Sequence, residues 1–173
     1  MRKTKIVFIS IIGLLLLSFL MNFISNSRVY SGEEKNSDLP EGVLGLTKME
    51  WKEKLSPLEY DVLWKKGTEL PYTGDLLKNK KKGVYVSSGC KQPVFDSEHK
   101  FESGTGWPSF WQPISEDAVK VVPDYAFGIK LLEIVSSKCG EHLGHVFNDG
   151  PPPTGLRYCI NSAALDFVED GSK

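Results

Sequence analysis

Apolar and polar positions divide the chain into unlike parts. From Ile6 to Ile24 the sequence IVFISIIGLLLLSFLMNFI carries no charge and no polar face. From about Asn26 to Thr47 the residues are mostly polar, with Gly, Ser, Glu and a proline. From residue 48 to about 168, short apolar clusters alternate with Gly, Pro and Asp, and residues 169–173 read as a tail.

At about 1.5 Å per helical residue, the first apolar run is long enough to cross a hydrocarbon layer of about 30 Å. The preceding MRKTK is basic and contains no acid, and such a flank stays on the cytoplasmic side. A cleaved signal peptide has a shorter apolar region and an Ala-x-Ala-like cut site. Here the nearest approach to one is Ser25-Asn26-Ser27. The expectation over residues 1–25 is therefore a transmembrane signal anchor, with a cleaved signal peptide as the other reading. Both place the rest of the chain outside the cytoplasm, in the envelope, at the surface or secreted, where disulfides persist. Residues 26–47 read as a tether.

The folded part opens with MEWKEKLSPLEYDVLWKKG. Ser56-Pro57-Leu58-Glu59 has the form of a capping box with proline at the first helical position. Tyr60, Leu63 and Trp64 continue an apolar face at helical spacing, and Gly67 suits the helix stop. From Gly83 onward VYV, AVKVV, YAFGIKLLEIV, HVF and LRYCINSAALDFV are rich in β-branched and aromatic residues and are punctuated by turn formers. The fold class expected is mainly β (α+β): short N-terminal helices, then antiparallel strands.

Composition narrows the function. The 173 residues suffice for one domain with a core. A net charge of −1 gives no general pull toward nucleic acid. Three cysteines are too few for a disulfide scaffold and allow one bridge plus one free thiol.

Three stretches carry candidate chemistry. In LRYCIN, strand alternation puts Arg157, Cys159 and Asn161 on one face and Tyr158 and Ile160 on the other. A guanidinium beside a thiol favours the thiolate, which is the nucleophilic form. In HLGHVFNDGPPPTG, His142 and His145 can bind metal, transfer protons or sit hydrogen-bonded in a core. The Gly/Pro turn after Asp149 leads back to the Cys159 strand, and a hairpin there brings one or both imidazoles near the thiol, an arrangement for thiol attack with proton delivery. In KFESGTGWPSFWQPI, Trp107 on a stiff Gly/Pro loop is either an apolar wall for a small thioether or, with Phe110 and Trp111, a cap on the core. These residues alone are compatible with a thiol hydrolase or peroxidase built on Cys159 and His145, and with a non-catalytic binding module.

WKEKLSPLEYDVL, GTELPYTG, GVYV, KFESGTGWPSFWQPI and HLGHVFNDGPPPTGLRYCINSAAL, in that order, resemble the B-type methionine sulfoxide reductases over residues 48–168. The resemblance implies two antiparallel sheets with small helices at the N-terminal side, and reduction of methionine (R)-sulfoxide in oxidised proteins. It implies Cys159 as nucleophile and His145 as the group that protonates or hydrogen-bonds the sulfoxide oxygen, with His142 assisting. Arg157 and Asn161 would orient and polarise the thiol region. Trp107 would pack on the substrate methyl, and Phe147 joins the substrate-binding set.

The chain departs from the family at two places. Many relatives bind zinc through two Cys-x-x-Cys pairs, and those positions here are Ser87, Cys90, Ser136 and Cys139. Serine hydroxyls are poor zinc ligands, so no metal and no other cofactor is expected. A Cys90–Cys139 disulfide in place of the metal is expected instead. Many relatives also carry a resolving cysteine before GWPSF, where this chain has Thr105; oxidised Cys159 is then expected to be resolved by an external thioredoxin-like reductant, with Cys90 or Cys139 as the other route. The expected partners are therefore methionine-oxidised proteins, a thioredoxin-like thiol reductant and, through the N-terminal helix, the membrane; a monomer is expected, with no nucleic acid.

Overall fold

The structure, a computed structural model, describes residues 46–125, 128 and 130–171. The anchor, nearly all of the tether and the end of the tail lie outside these residues. Among the described residues no helix is long and apolar enough to cross a membrane.

Two short helices open the described part. Helix α1 (Lys48–Lys54) starts at Thr47, whose hydroxyl accepts from the Glu50 N–H while the Glu50 carboxylate accepts from the Thr47 N–H. Thr47, placed by sequence at the end of the tether, is thus the cap of the first helix. Helix α2 (Pro57–Lys65) is capped in the same reciprocal way by Ser56 and Glu59. It ends at Lys66, which adopts a left-handed conformation. Gly67 follows, and a Cβ there would lie 2.4 Å from Asp61 Oδ2 and 3.1 Å from Asp61 O, so a larger residue would require the Asp61 side chain to move.

Nine strands follow among the described residues: β1 (Gly83–Ser87), β2 (Pro93–Asp96), β3 (Lys100–Phe101), β4 (Ser109–Phe110), β5 (Val119–Asp124), β6 (Leu131–Ser136), β7 (His142–Phe147), β8 (Arg157–Ile160) and β9 (Leu165–Glu169). They form a three-stranded sheet in the order β2-β1-β9 and a six-stranded sheet in the order β3-β4-β8-β7-β6-β5. Every one of these strand pairs is antiparallel. The fold is mainly β, with two antiparallel sheets and few helices.

The stretch LRYCINSAALDFV, continuous by composition, is broken by a 3₁₀ turn at Ser162–Ala164. Its first half is β8 of the larger sheet and its second half is β9 of the smaller one. The core contains Tyr85 and Phe95 from the smaller sheet with Phe110, Ile134, Leu143, Tyr158 and Ile160 from the larger. Phe95 stacks on Phe110 with centroids 4.4 Å apart, and Tyr85 meets Phe110 edge-on at 5.0 Å. This leaves the other face of β5, β6, β7 and β8 for the polar residues of the site.

Candidate active site

Register places the central residues in one transverse row. Ser109 on β4 pairs with Cys159 on β8, Cys159 with His145 on β7, and His145 with Glu133 on β6. Cys159 is the free cysteine and is half-buried. Its sulfur lies 3.9 Å from Thr105 Oγ1. Burial pushes the Cys159 thiol above its ordinary value; the Thr105 hydroxyl and then Arg157 pull it down by less, and the Asp149 charge adds to the rise. Arg157 does favour the thiolate, as its place on the same face leads one to expect, but desolvation of the sulfur outweighs it.

Arg157 is held from two sides. Its Nε and Nη2 each donate to the Asp149 carboxylate at 2.9 Å, and this bidentate pair keeps the Asp149 carboxyl below the usual carboxylate range. The guanidinium also lies 4.5 Å over the Phe147 ring. The turn 150–155 brings Asp149 back to its own hairpin partner, with Gly150 N–H donating to Gly155 O. A side chain at Gly150 would strike Leu156 O at 1.9 Å.

The two histidines are three residues apart, so regular alternation would put them on opposite faces of β7. A bulge prevents this. Gly144 pairs with Ile134 and His142 with Val135, which leaves Leu143 as the extra residue, turned into the core. His142 and His145 then share the site face, with ring centroids 5.3 Å apart. Each contacts a carboxylate from another strand of the same sheet, β5 for His145 and β6, the direct neighbour, for His142. His145 Nε2 lies 3.2 Å from Asp124 Oδ2, and His142 Nδ1 lies 2.8 Å from Glu133 Oε1. His142 is only 2% exposed, and its Nε2 has no hydrogen-bond partner among the described residues.

Trp107 and Asn161 meet at Glu69. The Trp107 indole N–H donates to Glu69 O at 3.1 Å, and the Glu69 N–H donates to Asn161 Oδ1 at 3.1 Å. The Glu69 carboxylate accepts from the Ser162 and Ala163 N–H groups at 2.5 and 2.9 Å, which satisfies the start of the 3₁₀ turn. Asn161 Nδ2 donates to Leu143 O. Asn161 thus lies one residue past β8 with its amide committed to backbone, and it braces the Cys159 strand. Gly106 must be glycine: its φ is +98°, and a Cβ would lie 2.7 Å from Pro71 Cβ. Its carbonyl accepts from Tyr72 N–H, and Tyr72 Oη donates to Gly104 O at 2.6 Å, so the 69–74 segment straps the loop that carries Thr105 and Trp107.

The two SSxC stretches form matching turns at the ends of β1 and β6. In one, Lys91 N–H donates to Ser87 O; in the other, Gly140 N–H donates to Ser136 O. Cys90 and Cys139 are joined by a disulfide with Cα atoms 6.5 Å apart, which ties the smaller sheet to the larger. Beside it Glu141 is fully buried, accepts from the Cys90 N–H at 2.9 Å through Oε1, and leaves Oε2 without a partner among the described residues. Burial holds its carboxyl above the ordinary range. Both sulfurs and a Glu141 oxygen lie within 4.8 Å of one another. Zinc takes thiolates, and sulfurs bonded to each other are not thiolates. Ser87 Oγ and Ser136 Oγ accept backbone N–H bonds. The bridged donor set does not fit a zinc ion.

Sequence reasoning did not single out Glu133, Asp124, Asp149 or Glu69. A lone acid within the apolar run LLEIV was the available sign of Glu133, since an unpaired charge there has no stable place. Asp124, Asp149 and Glu69 stand among turn residues and carry no such sign.

The model of the SelR domain family matches residues 55–169. A peptide methionine sulfoxide reductase MsrB of Methanosarcina mazei is 54% identical over 121 residues, which cover 70% of this chain and 86% of that protein. The Methanosarcina barkeri protein of the same name is 56% identical over 118 residues, 68% of this chain and 83% of its own length. That of Leptospira interrogans is 54% identical over 121 residues, 70% and 92% respectively. The row of Cys159 and His145, with Arg157 beside the thiol, lies in a chain that belongs to the MsrB family of peptide methionine sulfoxide reductases, which are oxidoreductases.

Proposed function

We propose that this protein repairs methionine (R)-sulfoxide in proteins outside the cytoplasm through a sulfenic acid on Cys159. The observation that carries the reading is the free thiol of Cys159 paired across the sheet with His145 and flanked by Arg157. A sulfoxide oxygen is a poor leaving group until it is protonated, so thiolate attack at sulfur requires an acid on the oxygen side. Cys159 sulfur takes the oxygen, the substrate leaves as methionine, and Cys159 becomes a sulfenic acid. His145, assisted by His142, supplies the proton. Trp107 and Phe147 form the apolar side of the site, Arg157 steadies the sulfur's charge, and Asn161 fixes the strand.

Recovery needs two thiols. The first attacks the sulfenic acid, releases water and leaves a mixed disulfide; the second displaces Cys159 and restores its thiol. Thr105 cannot supply the first of these, so an external thioredoxin-like dithiol does. Residues 1–25 anchor or export the domain at 48–168, and the Cys90–Cys139 bridge serves in place of a metal.

The test is turnover of the two methionine sulfoxide epimers with a dithiol reductant, on the wild type and Cys159→Ser. Selective reduction of the R epimer, abolished in the variant, supports the reading. Wild-type turnover of an ester or a peroxide without sulfoxide reduction supports a thiol hydrolase or peroxidase instead. Binding of oxidised peptide that survives Cys159→Ser, without turnover in either protein, supports a binding module.

A further inference from the structure

The proposed reaction calls on His142, yet a neutral imidazole carries one proton, and the nitrogen that holds it decides what the other can do. His142 is buried, and its two nitrogens have opposite surroundings. Nδ1 lies 2.8 Å from Glu133 Oε1, and Nε2 meets no partner among the described residues. Glu133 is itself 1% exposed, and its second oxygen accepts from Lys66 Nζ at 2.8 Å. An ionised carboxylate only accepts, so the proton between Nδ1 and Oε1 belongs to the ring.

We propose that Glu133, braced by Lys66, is a positioning residue that fixes His142 as the Nδ1–H tautomer and leaves Nε2 as the ring atom that exchanges a proton with the substrate site. The inference rests on the function proposed above and names two residues to which no role is otherwise given. Glu133 stays ionised despite its burial. Desolvation pushes its carboxyl up, but the hydrogen bonds from His142 and Lys66, together with nearby positive charge, outweigh it and hold the group below the ordinary carboxylate value.

The brace comes from a different part of the chain. Lys66 is the left-handed cap of α2, 67 residues before Glu133. Its head group is over half exposed, while the oxygen it binds is buried. The end of α2 therefore reaches the carboxylate that holds the histidine. The bulge in β7 is the other requirement, because without Leu143 as the extra residue His142 would face away from Glu133.

The full chain with ¹⁵N-labelled imidazoles tests this, since it has only three histidines to resolve. The wild type should show His142 as Nδ1–H. Glu133→Gln, whose amide can also donate to Nδ1, should populate the Nε2–H form. Its kcat should fall at least about tenfold with KM within about twofold, as for other residues that orient a catalytic histidine. Lys66→Met perturbs an exposed side chain and keeps the test open if Glu133→Gln does not fold. It should lower kcat several-fold, and Lys66→Arg should restore it. Wild-type tautomer and wild-type kcat in both variants overturn the proposal, as does a wild type with His142 as Nε2–H. A wild type that is Nδ1–H but never reduces sulfoxide refutes the function and leaves the tautomer assignment to be judged on the variants' spectra.

Discussion

Removing the Cys90–Cys139 bridge should destabilise the protein without touching the free thiol of Cys159. The bridge closes a loop between positions 49 apart in sequence. The chain-entropy account gives about 4 kcal/mol for a loop of that length, through restriction of the unfolded chain. That is a large share of a typical domain stability of about 5–15 kcal/mol. The folded side of the balance should change less. Gln92 Nε2 donates to Ala118 O at 2.9 Å and to Ser137 Oγ at 2.8 Å, and Gln92 Oε1 accepts from Lys138 N–H at 2.9 Å. These bonds hold the two turns together whether or not the sulfurs are joined.

The assay is urea unfolding of the oxidised wild type against Cys90→Ala/Cys139→Ala. With m of about 1–3 kcal/mol/M, a loss of about 4 kcal/mol lowers the midpoint by about 1–4 M. The slope should also steepen, because a chain without the cross-link exposes more surface on unfolding. Turnover at low urea should survive, since Cys159 is not part of the bridge. The reasoning fails if the variant and the oxidised wild type unfold at the same midpoint, or if protein isolated under oxidising conditions titrates with three thiols. The standard activity assay supplies a dithiol, so the same variant also shows how much of any loss under assay conditions comes from reduction of the bridge.

Three further outcomes follow from the site. Because burial raises the Cys159 thiol, its alkylation rate should keep climbing with pH beyond the ordinary thiol value of about 8.5; Thr105→Val removes the largest of the opposing contributions and should move the rise to still higher pH, as followed by alkylation and mass spectrometry. The native Thr105 hydroxyl lies 3.9 Å from the Cys159 sulfur, so Thr105→Cys should trap a disulfide between the introduced thiol and Cys159 after one sulfoxide turnover without reductant, where the wild type shows no such peptide pair under non-reducing digestion. Glu69→Gln weakens two backbone hydrogen bonds at Ser162 and Ala163 and should cost about 1–3 kcal/mol in urea unfolding, with a fall in turnover because Trp107 and Asn161 both hang on the same residue.

What was legible in the sequence was local chemistry. Ser56 and Glu59 announce α2 because a capping box is complete within four residues. Cys159 and Arg157 share a face because alternation needs no partner strand. What was hidden depends on contacts between distant segments. Strands β3 and β4 have two residues each, too short for any period to show. Nothing in LRYCINSAALDFV says that its halves belong to different sheets, since Ser162 and Ala163 are held by Glu69, more than ninety residues earlier. The bulge at Leu143 is fixed by pairing with Ile134 and Val135, so the shared face of the two histidines could not be read from HLGH alone.

The hidden part also explains why the site tolerates so little change in register. Ser109, Cys159, His145, Glu133 and Val122 occupy one row across β4, β8, β7, β6 and β5. The carboxylates that hold the two histidines come from β5 and β6, while Arg157 takes its carboxylate from its own hairpin. A slip of one residue between any two of these strands turns one set of side chains to the opposite face. A slip of β7 against β6 would expose Leu143 and Val146 and bury His145 and Phe147 in the core. It would also leave Glu133 as an unpaired buried charge, apart from the partly exposed Lys66. The same register that buries Ile134, Leu143, Val146 and Tyr158 thus assembles the polar row on the other face. Burial of the apolar core therefore favours the one register that keeps an acid, two imidazoles and a thiol aligned.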